Sequence, residues 1–155
     1  MEQNAIGRDA ILICIGNEYR EDDGLGLYIG RHAKIRCLPN LRIIENSGDG
    51  MAMVDAWKDG RTVIVVDAVH SGRPPGTLFY FDLLENRIPS DVFTVSTHNI
   101  GIFECVALSK KLGLLPEKLI FYGIEVADSG YGRHLSPLVK GAADSLVEKI
   151  AVCLV

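Results

Sequence analysis

Three stretches of this 155-residue chain combine side chains that bind metals or move protons. Gly16 to Gly26 (GNEYREDDGLG) carries Glu18, Glu21, Asp22 and Asp23, four carboxylates within six residues, beside glycines that let a loop bend tightly. Val65-Val66-Asp67-Ala68-Val69-His70 puts Asp67 directly after an apolar run, and Val95 to Gly101 (VSTHNIG) offers His98 where Ser96 or Thr97 can cap a helix. Singly, each has an ordinary role. Asp22 and Asp23 favour a helix amino end by roughly 0.3–1 kcal/mol each, Asp is common where strands become loops, and a histidine at a helix start usually caps or faces solvent. Brought to one edge of a sheet, two carboxylates and one imidazole instead suit a divalent transition metal with coordination positions left open.

The other histidines fit this set less well. His32 falls inside a helical pattern and His134 in a late loop, while His70 stays a secondary candidate through its closeness to Asp67. Other chemistries lack their motifs. GxGxxG and a Walker lysine are missing, and acidic residues at the first turn would repel a pyrophosphate. Neither GxSxG nor HExxH occurs. Cys14, Cys37, Cys105 and Cys153 form no CxxC pair and read as reduced and structural; Cys14 lies in an apolar strand-like run and Cys105 and Cys153 in helical patterns, as small buried hydrophobes.

The elements that must position these residues follow from the hydrophobic pattern. Apolar runs at Ala10–Ile15, Leu41–Ile44, Thr62–Val66, Thr77–Phe81 and Lys118–Tyr122 predict five strands. Helical spacing predicts helices over Gly24–Arg36, Met51–Lys58, Asn99–Leu112 and Pro137 to about Val152. The last has Ser136 as a cap and Pro137 at its first position, with Leu138, Ala142, Leu146 and Ile150 expected on the buried face. Strands alternating with helices predict an α/β fold with a mostly parallel sheet, whose ligand sites gather at the carboxyl ends of the strands.

Residues 1–155 are expected to form one domain, since the length suits one core and leaves little room for a second. Hydrophobic residues make up 48% and charged residues 23%, far from the bias of a disordered chain. A net charge of -4 with no basic run argues against nucleic acid. Met1 to Asp9 lacks the pattern of a secretory signal and no apolar stretch approaches the roughly 20 residues that span a bilayer, so a cytoplasmic location without membrane contact is expected.

Five features taken in order resemble the hydrogenase maturation proteases. They are the Gly16-Asn17 turn, Asp22-Asp23-Gly24-Leu25-Gly26, Asp67-Ala68-Val69 after a strand, Pro75-Gly76-Thr77 opening the next strand, and Ser96-Thr97-His98 before a helix. The resemblance runs from about Ala10 to Ile150. It implies a three-layer αβα sandwich around a twisted five-stranded sheet, and an endopeptidase that trims the carboxyl-terminal extension of the nickel-iron hydrogenase large-subunit precursor. It also implies that Asp23, Asp67 and His98 bind metal, the first being Glu in some members of the family. Nickel would come with the substrate, and no permanently bound cofactor is expected. Asn17 and Asp22 would support the site, and Gly48-Asp49-Gly50 before the second helix would contact substrate or pack tightly. A nickel-dependent chaperone that binds the large subunit without cutting it, and a small-molecule metallohydrolase, are the alternatives.

Overall fold

The computed structural model describes residues 10–16, 24–58, 60–85, 101–127 and 134–154. Its elements in chain order are β1 (Ala10–Ile15), α1 (Leu25–Arg31), α2 (Ala33–Arg36), β2 (Leu41–Asn46), α3 (Gly50–Trp57), β3 (Thr62–Val69), β4 (Leu78–Asp82), α4 (Ile102–Leu112), β5 (Lys118–Glu125) and α5 (Pro137–Leu154). Among the described residues the strands form one sheet in the order β2-β1-β3-β5-β4, parallel throughout except for β4, which runs antiparallel to β5.

Alternation along the strands splits the interior into two cores. Ala10, Leu12 and Cys14 of β1 face α1, α2 and α5, while Ile11, Ile13 and Ile15 face α3 and α4. All six β1 residues are buried, as a central strand covered on both sides requires. The result is the expected α/β sandwich with helices on both faces.

Several boundaries depart from the sequence expectation, each for a local reason. The helix expected over Gly24–Arg36 breaks at His32, whose backbone is extended (φ -65°, ψ 136°) and whose Nδ1 accepts from the Lys34 amide at 3.2 Å, capping α2. The buried stripe of α5 is Val139, Ala143, Leu146, Val147, Ile150 and Leu154. Leu138 is 65% exposed, because the helix is turned about one position from the expected face, with Ala142 at the margin of the core. Cys153 is exposed, and so is Cys37, whereas Cys14 and Cys105 are buried; all four are free thiols. β3 and β5 run three residues past their apolar runs and keep pairing, Asp67 with Gly123 and Val69 with Glu125.

The connection from β3 to β4 takes a longer path than the others. Because β5 lies between these two strands, the segment from His70 to Thr77 must pass over the carboxyl end of β5 to reach β4. Two strand spacings make that span roughly 10 Å, which these residues cover as an arch.

Candidate functional site

In this topology the chain leaves β1 toward β2 on one side and leaves β3 toward β4 and β5 on the other. The gap between the carboxyl ends of β1 and β3 is therefore the switch point at which open α/β sheets bind ligands. Asp67 stands there. Its side chain shares a parity with Val65 and Val69, both in the core under α3 and α4, so it belongs to that face of the sheet. It is half-buried, and Oδ1 accepts from the Ala68 amide at 2.7 Å, which fixes the orientation of the carboxylate.

Glycines and one asparagine draw the neighbouring loops close. A Cβ on Gly26 would lie 2.2 Å from the Ile15 carbonyl oxygen, so α1 is pressed onto the end of β1 at a distance that only glycine permits. The Gly16 amide donates to the Asn46 carbonyl at 3.0 Å, joining the ends of β1 and β2. The buried Asn46 side chain then organises the next turn: Oδ1 accepts from the Gly48 amide (2.6 Å) and Nδ2 donates to the Asp49 carbonyl (2.9 Å). Gly48 is left-handed (φ 109°), and Asp49 caps α3 by accepting from the Ala52 amide at 3.1 Å. Thus hydrogen bonds hold the Gly48-Asp49-Gly50 loop at the carboxyl end of β2, on the same edge of the sheet as Asp67.

The amino end of α4 arrives beside that of α3. Cys105 Sγ donates to the Gly50 carbonyl at 3.6 Å, which places Gly101 and Ile102 at the carboxyl edge as well. Two helix amino ends make this edge favourable to negative charge. Burial pushes the Cys105 thiol up, and burial with the nearby Glu45 pushes Cys14 up to about 12, so neither buried sulfur supplies a thiolate nucleophile near neutral pH.

Of the residues singled out from the sequence, Asp67, Gly48, Asp49 and Gly50 are placed at this edge. Asn17, Asp22, Asp23 and His98 lie outside the described residues; their described neighbours are Gly16 and Gly24 for the first loop and Gly101 for the third. Among the described residues no group of three or more His, Cys, Asp and Glu side chains is arranged to hold a metal ion. His70 follows β3 and is exposed, His134 is exposed, and His32 caps α2 with its ring edge-on to Tyr28.

One residue of this edge escaped the sequence reading. Glu125, the last residue of β5, is 3% exposed and lies beneath the arch. Its carboxylate accepts from the Ser71 amide (2.9 and 3.1 Å), the Ser71 hydroxyl (2.6 Å) and the Gly72 amide (3.0 Å). The signal that could have found it is a lone charge within the apolar run FYGIEVA, since a carboxylate there must be satisfied by its surroundings.

Comparison with known proteins agrees with this architecture. Residues 30–152 match the family model described as HycI, hydrogenase maturation protease. The HupD hydrogenase expression/formation protein of Rhodobacter capsulatus is 27% identical over 139 residues, covering 86% of this chain and 65% of HupD. The hydrogenase 3 maturation protease of Escherichia coli is 23% identical over 146 residues, covering 90% of this chain and 87% of that protein. The chain thus spans just under two thirds of the HupD relative and most of the Escherichia coli one. In fold it is similar to the hydrogenase maturating endopeptidase HybD of Escherichia coli, with a TM-score of 0.78 at 21% identity over 94% of this chain and 91% of that one. It is also similar to HybD of Thermococcus kodakarensis, with a TM-score of 0.69 at 23% identity over 95% and 99% of the two chains. With a family model matched over most of its length and the fold of two solved maturation proteases, the chain belongs to the hydrogenase maturation protease family.

Proposed function

We propose that this protein is a cytoplasmic endopeptidase that removes the carboxyl-terminal extension of a nickel-iron hydrogenase large-subunit precursor after nickel insertion. The nickel belongs to the substrate and serves as the recognition element. Asp23, Asp67 and His98 complete its coordination and so hold the scissile bond at the carboxyl edge of the sheet, with Asn17 and Asp22 in support. An open set of weak ligands gains affinity only when the metal is present, so precursor without nickel is bound poorly and left uncut.

The observation that carries this reading is the place of Asp67: a partly exposed, oriented carboxylate at the switch point of the sheet, on the edge where the amino ends of α3 and α4 come together. Family membership supports the same reaction class. The test is to mix the purified protein with its precursor, with and without inserted nickel, and to follow the precursor's mass. Loss of a carboxyl-terminal peptide from the nickel-loaded form alone is expected. Binding without a cut would replace the peptidase by a chaperone, and cleavage of simple esters or amides with a tightly held divalent ion would favour a metallohydrolase.

A further inference from the structure

The arch between β3 and β4 is more heavily fastened than a connection needs to be. Besides its four contacts with Ser71 and Gly72, Glu125 ties down the far end of the arch through its backbone. Its carbonyl accepts from the Gly76 amide at 2.8 Å, and its amide donates to the Thr77 carbonyl at 2.9 Å. Thr77 also bonds back to Pro74, its hydroxyl donating to the Pro74 carbonyl at 2.6 Å. Two glycines in left-handed conformations, Gly72 (φ 84°) and Gly76 (φ 87°), make the turns. Burying a carboxylate is costly even when it is well bonded, and an apolar side chain would have closed the end of β5 more cheaply. What Glu125 gives in return is a fixed loop shape.

That shape has a direction. Arg73, at the middle of the arch, holds its guanidinium 5.3 Å from the centre of the Phe79 ring. Phe79 packs in the core under α3 and α4, the face to which Asp67 also belongs. The arch therefore carries a planar cation on Asp67's side of the sheet, at the edge where the strands end. Guanidinium groups stacked on aromatic rings are pre-set to receive carboxylate or carbonyl oxygens, and a loop already ordered costs less to bind.

We propose that the Ser71–Arg73 arch forms one wall of the substrate-binding cleft, with Arg73 receiving peptide oxygens of the precursor's carboxyl-terminal segment and Glu125 acting as its positioning residue. This rests on the processing activity proposed for the protein. Processing of the nickel-loaded precursor is to be followed over a range of precursor concentrations for the wild type, Arg73→Ala, Arg73→Lys, Glu125→Gln and Arg31→Ala, with each fold checked by thermal unfolding. Glu125→Gln keeps the shape but places an amide donor against the Ser71 and Gly72 amides. Arg73→Ala and Glu125→Gln are expected to raise KM about tenfold and to leave kcat within about twofold, the pattern of lost ground-state binding. Arg73→Lys should recover part of that loss, and Arg31→Ala, paired with Glu45 on the outside of α1, should behave as wild type. If Glu125→Gln melts below the assay temperature, Ser71→Ala, which deletes one of the four contacts, takes its place with the same expectation of a raised KM. Folded arch variants with wild-type KM would overturn the proposal while the wild type still cuts. A wild type that neither binds nor cuts the precursor overturns the processing reading, and this one with it.

Discussion

Asp67 was legible in the sequence because four apolar residues precede it, which puts it near the carboxyl end of β3, although the strand runs two residues beyond it. Glu125 was not, because the lone charge in FYGIEVA calls for a satisfied carboxylate without telling which distant loop, here some fifty residues away in the chain, would satisfy it. If Asp23, Asp67 and His98 act as proposed, Asp23→Asn, Asp67→Asn and His98→Ala each abolish precursor processing. For Asp67→Asn the thermal midpoint should move little, because its carboxylate is half-buried outside the core. Activity by mass and stability by calorimetry separate the two effects. The cysteines offer a second check at this scale. Cys14 and Cys105 are buried with raised thiol values while Cys37 and Cys153 are exposed, so a thiol reagent at mildly alkaline pH should modify two thiols in the native protein and four in denaturant. Reaction of a third thiol in the native state would contradict the packing of one of the two cores.

Strand positions were read well from the sequence, and helix rotations less well. An apolar run announces a central strand whatever lies outside it, but the face a helix buries depends on its partners. The spacing of α5 puts Leu138 inside, but the helix buries Val139 instead, its buried stripe turned about one position. α1 ends at His32 because that side chain caps α2, a competition between local hydrogen bonds that hydrophobic spacing does not reveal. Gly26→Ala tests the seating of α1. With the Ile15 carbonyl where the new methyl would go, the variant should lose about 1–3 kcal/mol in urea unfolding and weaken processing by shifting the first loop. α1 is also clasped to α5, where the Tyr28 hydroxyl donates to Asp144 at 2.5 Å and Lys140 donates to the same carboxylate at 3.0 Å. These bonds, Tyr28's first, hold the Asp144 carboxyl below its usual range. Its contribution is therefore full above the ordinary carboxylate range and fades as pH falls through the depressed folded value. Tyr28→Phe should lower the thermal midpoint slightly near neutral pH, solvent screening keeping the effect small, and the gap should close in acid.

At the scale of the whole molecule, the two cores share one sheet, and perturbing either is expected to unfold both. Trp57, the chain's one tryptophan and the last residue of α3, is fully buried, donating to Ser109 of α4 at 3.0 Å. Leu146 is fully buried on the opposite face. Leu146→Ala should cost about 2–5 kcal/mol and shift the Trp57 fluorescence transition together with the far-ultraviolet circular dichroism transition. Two separated transitions would mean that the faces unfold independently. The sheet order also bears on how the chain is made. During synthesis β3 and β4 emerge before β5, yet they flank it, so they cannot pair with each other in the native arrangement and instead border a slot one strand wide. Until β5 arrives, β3 exposes an apolar edge open to pairing with other chains. A ribosome stalled before Lys118 would hold a chain whose arch stands over an empty slot, with the carboxylate that fastens it not yet translated.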